Sequence, residues 1–89
     1  MNSKTNFIYG IAIMLSSSKK KTITAHELAK RLNANGFLTG KGTAYKGSRG
    51  TYTLIKATYN TVKAFLGKQQ ADLIATSFTK PNGAFAWDK

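Results

Sequence analysis

Thr53, Lys56, Asn60 and Lys63 recur at steps of three and four residues, and Arg49 stands one step ahead of them. In a helix this spacing gathers the side chains on one side. Their chemistry is recognition rather than bond making. An asparagine amide can pair with an adenine edge, lysine can meet guanine or phosphate, and a hydroxyl or guanidinium holds phosphate oxygen. No Asp or Glu occurs between Gly50 and Leu66 to repel a polyanion. Catalysis has little to draw on: His26 is the one histidine, Glu27, Asp72 and Asp88 are the three acids, and cysteine is absent. That set offers no paired-carboxylate site, metal cluster or thiolate centre. The expectation is a protein that is not an enzyme and carries no metal or cofactor.

The elements that must position these residues follow from periodicity. A helix from about Gly50 to Leu66 places Leu54, Ile55, Thr58, Val62, Phe65 and Leu66 opposite the polar set. Tyr52 and Tyr59 flank its apolar side. Aromatics in a basic protein invite base stacking, but this helical spacing favours the rim of a core. A shorter helix precedes it. Thr24 and Glu27 stand in capping-box positions, where each side chain can satisfy the other's backbone donor. Ala25, Leu28, Ala29 and Leu32 form its stripe, and Asn35-Gly36 marks its end. Leu28, Leu32, Ile55, Val62 and Phe65 are the expected core.

Residues 37–49 connect the two helices with Gly40, Gly42 and Gly47 among Lys41, Lys46 and Arg49. A Walker A loop is excluded, because only three residues separate Gly36 from Gly40 and Gly42 follows Lys41. Small residues can bring backbone amides and cations close to phosphate, and Ser48 and Arg49 stand where the next helix begins. The alternative is a flexible connector, although loops of this length are uncommon without a function.

A capped short helix followed by a longer one with a cationic outer face resembles a winged helix-turn-helix DNA-binding domain. The run Thr24-Ala25-His26-Glu27-Leu28-Ala29-Lys30-Arg31-Leu32-Asn33, then Gly36-Phe37-Leu38-Thr39-Gly40-Lys41-Gly42, is also similar to the DNA-binding segment of large serine recombinases. An "IA..LN..G..T..G" run is typical there. The match covers Thr24 to Gly42, and the aromatic residue that usually follows the glycines is displaced to Tyr45. No recombinase catalytic domain fits in 89 residues. The resemblance therefore implies DNA binding and says nothing for strand cleavage.

Composition agrees. Fourteen Lys and Arg against three acids give a formal net charge of +11, the electrostatic footprint of a polyanion binder. A chain of this length makes one domain, residues 1–89. Met1 to Thr5 reads as a flexible tail. Phe7, Ile8, Ile11, Met14 and Leu15 then form a helical stripe with Tyr9 on its border. The apolar run from Phe7 to Leu15 has no A-x-A-like site after it, and it falls well short of the roughly 20 residues that span a bilayer. Ser16 to Lys21 is a polar break with three lysines, either a solvated loop or a phosphate contact. Thr22-Ile23 reads as a short extended segment. Ala71, Ile74, Ala75 and Phe78 indicate a fourth helix over Lys68 to Ser77, with a strand over Leu73 to Thr79 as the alternative. Lys80-Pro81-Asn82-Gly83 is a turn, and Phe85 and Trp87 read as one face of a short strand, with Trp87 closing the core.

The expected fold is mainly α with a small β element: winged helix-turn-helix-like, three to four helices plus a short C-terminal hairpin or strand. The expected function is double-stranded DNA binding by a small transcription regulator or recombination accessory factor. The candidate contacts are Arg49, Thr53, Lys56, Asn60, Lys63, Lys41, Lys46, Lys30 and Arg31. The alternative is a basic adaptor for an acidic protein partner, or an RNA-binding module. No membrane association is expected, and the location would be cytoplasmic, at the nucleoid in a bacterium.

Overall fold

The computed structural model of the protein describes residues 1–46, 49–80, 82 and 84. The chain runs α1 (Ser3–Ser16), β1 (Ile23–Thr24), α2 (Ala25–Ala34), α3 (Arg49–Leu66), α4 (Lys68–Ala75) and β2 (Phe78–Thr79). It is mainly helical, with one small two-stranded parallel sheet.

The N-terminus departs from the expected tail. Asn2 caps α1 by accepting from the Thr5 amide at 2.8 Å, so the helix starts four residues ahead of the apolar stripe. Thr5 is buried. Ile8, Ile11, Ala12 and Leu15 form the inward side of α1, whereas Met14 points outward at 62% exposure. Met14 therefore leaves the expected stripe, and Ala12 takes a place in it.

α2 follows its local signals closely. Thr24 Oγ1 accepts from the Glu27 amide at 3.1 Å. The reciprocal half of the capping box does not form, because the Glu27 carboxylate reaches forward to Arg31 at 3.5 Å. At the other end, Gly36 takes φ +79°. The Phe37 amide then bonds to Leu32 O and the Gly36 amide to Asn33 O, which is the Schellman closure.

α3 buries Thr51, Ile55, Thr58, Tyr59 and Val62. The Thr58 hydroxyl donates to Leu54 O at 2.7 Å, so its burial leaves no unmet polar group. Tyr59 goes deeper than a rim position, its hydroxyl 3.3 Å from Asp72. Phe65 corrects the core assignment: it is 66% exposed, and Leu66 beside it is 45% exposed. Both are in phase with the buried stripe. No described element covers them, and the chain reverses directly after them at Gly67, φ +93°.

α4 packs back along α3 and is tied to α1 by the Tyr9 hydroxyl, which donates to Gln70 at 2.6 Å. Lys68 pairs with Asp72 at 2.9 Å, and that hydrogen bond raises the ammonium pKa above its ordinary value. The helix stops at Ala75 rather than Ser77: Thr76 is its C-cap at φ −100°, ψ 1°, and the Ser77 amide turns back to Ile74 O at 3.3 Å, one residue short of the helical partner. Of the alternative strand over Leu73 to Thr79, only Phe78–Thr79 is extended. It lies parallel to β1, with Ile23 opposite Phe78 and Thr24 opposite Thr79. A parallel pair needs a crossover, and here α2, α3 and α4 supply it, so the sheet ties the first third of the chain to its end. Asn82 accepts from the Ala84 amide at 3.0 Å and Lys80 donates to Ala84 O at 2.7 Å, as the turn signal predicts. The expected strand at Phe85 and Trp87 lies outside the described residues.

Candidate nucleic-acid interface

Arg49, Thr53, Lys56, Asn60 and Lys63 are all exposed on α3. At 3.6 residues per turn they fall within an arc of about 80°, opposite the buried stripe, and span roughly 21 Å of helix axis. The arc is bordered on one side by the exposed Ala57 and Ala64 and on the other by the half-buried Tyr52. Arg49 is the first residue of the helix rather than the residue before it. Ser48 and Gly47 lie outside the described residues.

The loop between α2 and α3 is built around Tyr45, which is buried. The Asn33 side chain clasps its backbone from both sides: Nδ2 donates to Tyr45 O at 2.8 Å, and Oδ1 accepts from the Tyr45 amide at 2.7 Å. Lys4 reaches across from α1 to donate to Tyr45 Oη at 2.6 Å and to Leu38 O at 2.7 Å, its ammonium 5.0 Å from the Tyr45 ring centre. Phe37 packs on Phe7 with ring centres 5.1 Å apart. A simple flexible connector does not have these anchors. Between them the chain forms a tight turn, with Gly42 N bonded to Thr39 O and Thr39 N to Thr43 O, both at 2.9 Å. Gly42 takes φ +80° there, and Lys41 is carried exposed on the turn. Lys46 is also exposed, and its carbonyl accepts from the buried Thr51 hydroxyl, which joins the loop to α3.

Lys4, Asn33 and Tyr45 hold this loop, and none is among the expected contacts. Asn33 and Tyr45 do carry a sequence signal, since they belong to the recombinase-like run and its displaced aromatic. Lys4 carries none, being placed in an apparent tail.

The two candidates on α2 divide. Lys30 is exposed and among the described residues makes no ion pair. Arg31 is half-buried, paired with Glu27, and lines a cavity beside α1 and β1. It therefore stands apart from the α3 arc in its partners. Both acids within the described residues are engaged, Glu27 with Arg31 and Asp72 with Lys68 and Tyr59. The cations of α3 have no acid of their own helix to meet. Among the described residues, no group of three His, Cys, Asp or Glu side chains can hold a metal ion, and no helix is long and apolar enough to cross a membrane. No protein-family model, curated protein or solved structure matches the chain.

Proposed function

We propose that the protein binds double-stranded DNA, with α3 in the major groove and the basic loop 37–49 on the phosphate backbone. The observation that carries this reading is the acid-free arc of Arg49, Thr53, Lys56, Asn60 and Lys63 on the solvent side of a helix whose other side is buried. A major groove about 12 Å wide admits such a helix, and Asn60 and Lys56 are the side chains suited to purine edges. Lys63, Arg49 and the loop lysines serve phosphate. The same geometry favours duplex DNA over duplex RNA, whose major groove is too deep and narrow for a helix to read.

In this proposal α2 and α3 are the pair of a winged helix-turn-helix-like unit. The loop at 37–49, anchored by Tyr45, replaces the usual turn of about three or four residues. A small transcription regulator or a recombination accessory factor fits a domain that binds DNA through such an arc. Gel shifts over a range of salt, with duplex DNA, single strands and structured RNA in parallel, test the reading. Contacts from six to eight cations predict that log affinity for duplex falls with log salt at a slope of about −5 to −7. A slope near zero on duplex, or preference for structured RNA, overturns it.

A further inference from the structure

α1 is apolar around most of its circumference, and no charged residue occurs from Thr5 to Ser18. A helix of that kind is ordinarily covered on all sides. Here the described residues cover one side only. Ile8, Ile11, Ala12 and Leu15 are buried, while Ile13 and Met14 on the last turns are 43% and 62% exposed. Beside them the chain leaves the helix, loops through Ser16 to Lys21 and returns as β1, so that Leu15, Met14 and Ile23 line a concave cavity of about 630 Å³. That is within the range of roughly 300–1,000 Å³ of sites that bury a ligand or an anchoring side chain.

The walls are apolar and the rim is cationic. Lys20 and Arg31 line the cavity, Lys19 and Lys21 adjoin it in the chain, and Lys21 Nζ donates to Ser16 O at 2.8 Å, which fastens the loop to the end of α1. Among the described residues the acid beside it is Glu27, already held by Arg31. An occupant must therefore bring apolar side chains flanked by carboxylates. A second copy is repelled instead: each chain carries a net charge of +11, and Glu27 and Asp72 are engaged within the fold. DNA has no use for an apolar floor. An anionic membrane surface takes a long apolar helix face, whereas Ile13 and Met14 are the large apolar side chains exposed on α1.

We propose that the groove at the C-terminal end of α1 docks an acidic amphipathic segment of a partner protein. Its apolar anchor sits against Ile13 and Met14, and its carboxylates face Lys20 and Arg31. Met14, unbranched and polarizable, adapts to such an anchor. This interaction is independent of the α3 arc and stands whether or not α3 reads DNA.

The test is selection of displayed random peptides of about 15 residues on the full chain, at salt of about 0.15 M to suppress purely ionic capture. The expected winners set two or more Leu, Ile, Phe, Met or Trp residues among Asp and Glu. For the synthesised winner, fluorescence anisotropy should show Met14→Glu weakening binding by about tenfold or more, Lys20→Glu by about threefold or more, and Met14→Leu by less than about twofold. Met14→Ser serves as a second variant, with the melting curve of each variant read alongside. Failure to enrich, winners without apolar residues, or binding by both the Met14→Glu and Met14→Ser variants as tight as that of the parent overturns the proposal. So does Met14-dependent binding to phosphatidylglycerol vesicles by a chain that retains no peptide.

Discussion

The outward sides of α3 and α1 differ in what lies among their cations. On α3, Arg49, Lys56 and Lys63 alternate with Thr53 and Asn60, side chains that donate and accept hydrogen bonds. At the end of α1, Lys20 and Arg31 surround Ile13, Met14 and Ile23, which do neither. The net charge of +11 is common to both and attracts any polyanion. The groups between the cations decide what can be recognised at close range, a base edge in one place and an apolar anchor in the other. Charge steers, and the chemistry beside it selects.

The largest expected effect tests whether the two cation sets are separate. Affinity of the parent chain for duplex DNA should fall by roughly a thousandfold or more between about 50 and 200 mM salt. Arg49→Ala and Lys63→Ala should each make the salt slope shallower by about one unit, while Lys20→Ala leaves it unchanged. Equal effects from Lys20 and Lys63, read in the same titration, would break the division.

Covered and uncovered apolar residues should separate next, in denaturant melts. Leu28→Ala, Leu32→Ala and Ile55→Ala remove fully buried side chains and should cost about 2–5 kcal/mol each, a large part of the stability of so small a domain. Phe65→Ala and Met14→Ala lie on the surface and should stay within about 0.5 kcal/mol of the parent. A large loss at Phe65 would mean that the end of α3 is covered after all.

Asn60→Ala sharpens the α3 side of the comparison. With a site enriched from random duplexes, it should lower affinity by about 1–3 kcal/mol and relax preference at one base position. Met14→Ala should leave that consensus intact. An unchanged consensus for Asn60→Ala would move base reading away from α3.

The smallest effect concerns the support of the loop. Lys4→Met removes the donor to Leu38 O and Tyr45 Oη and should cost about 1–2 kcal/mol. Amide exchange should quicken at Thr39 and Tyr45 more than in α4. Uniform quickening would show that Lys4 supports the whole fold rather than the loop.

What the sequence by itself determined is local. The Thr24 cap, the Gly36 closure, the stripe of α2 and the two-sided character of α3 all depend on residues within about five positions of one another, so periodicity and capping chemistry suffice to read them. The arc from Arg49 to Lys63 was legible for the same reason. Only the tertiary structure decided the rest. Lys4 and Tyr45 are 41 residues apart, and no local pattern says that an apparent tail holds a distant loop in place. Phe65 has the right phase for burial, but burial also needs a facing side chain, and the packing of the described residues leaves it exposed. Ile13 and Met14 show the same physics from the other side: composition made α1 apolar, and only packing decided which of its residues were left for something else to cover.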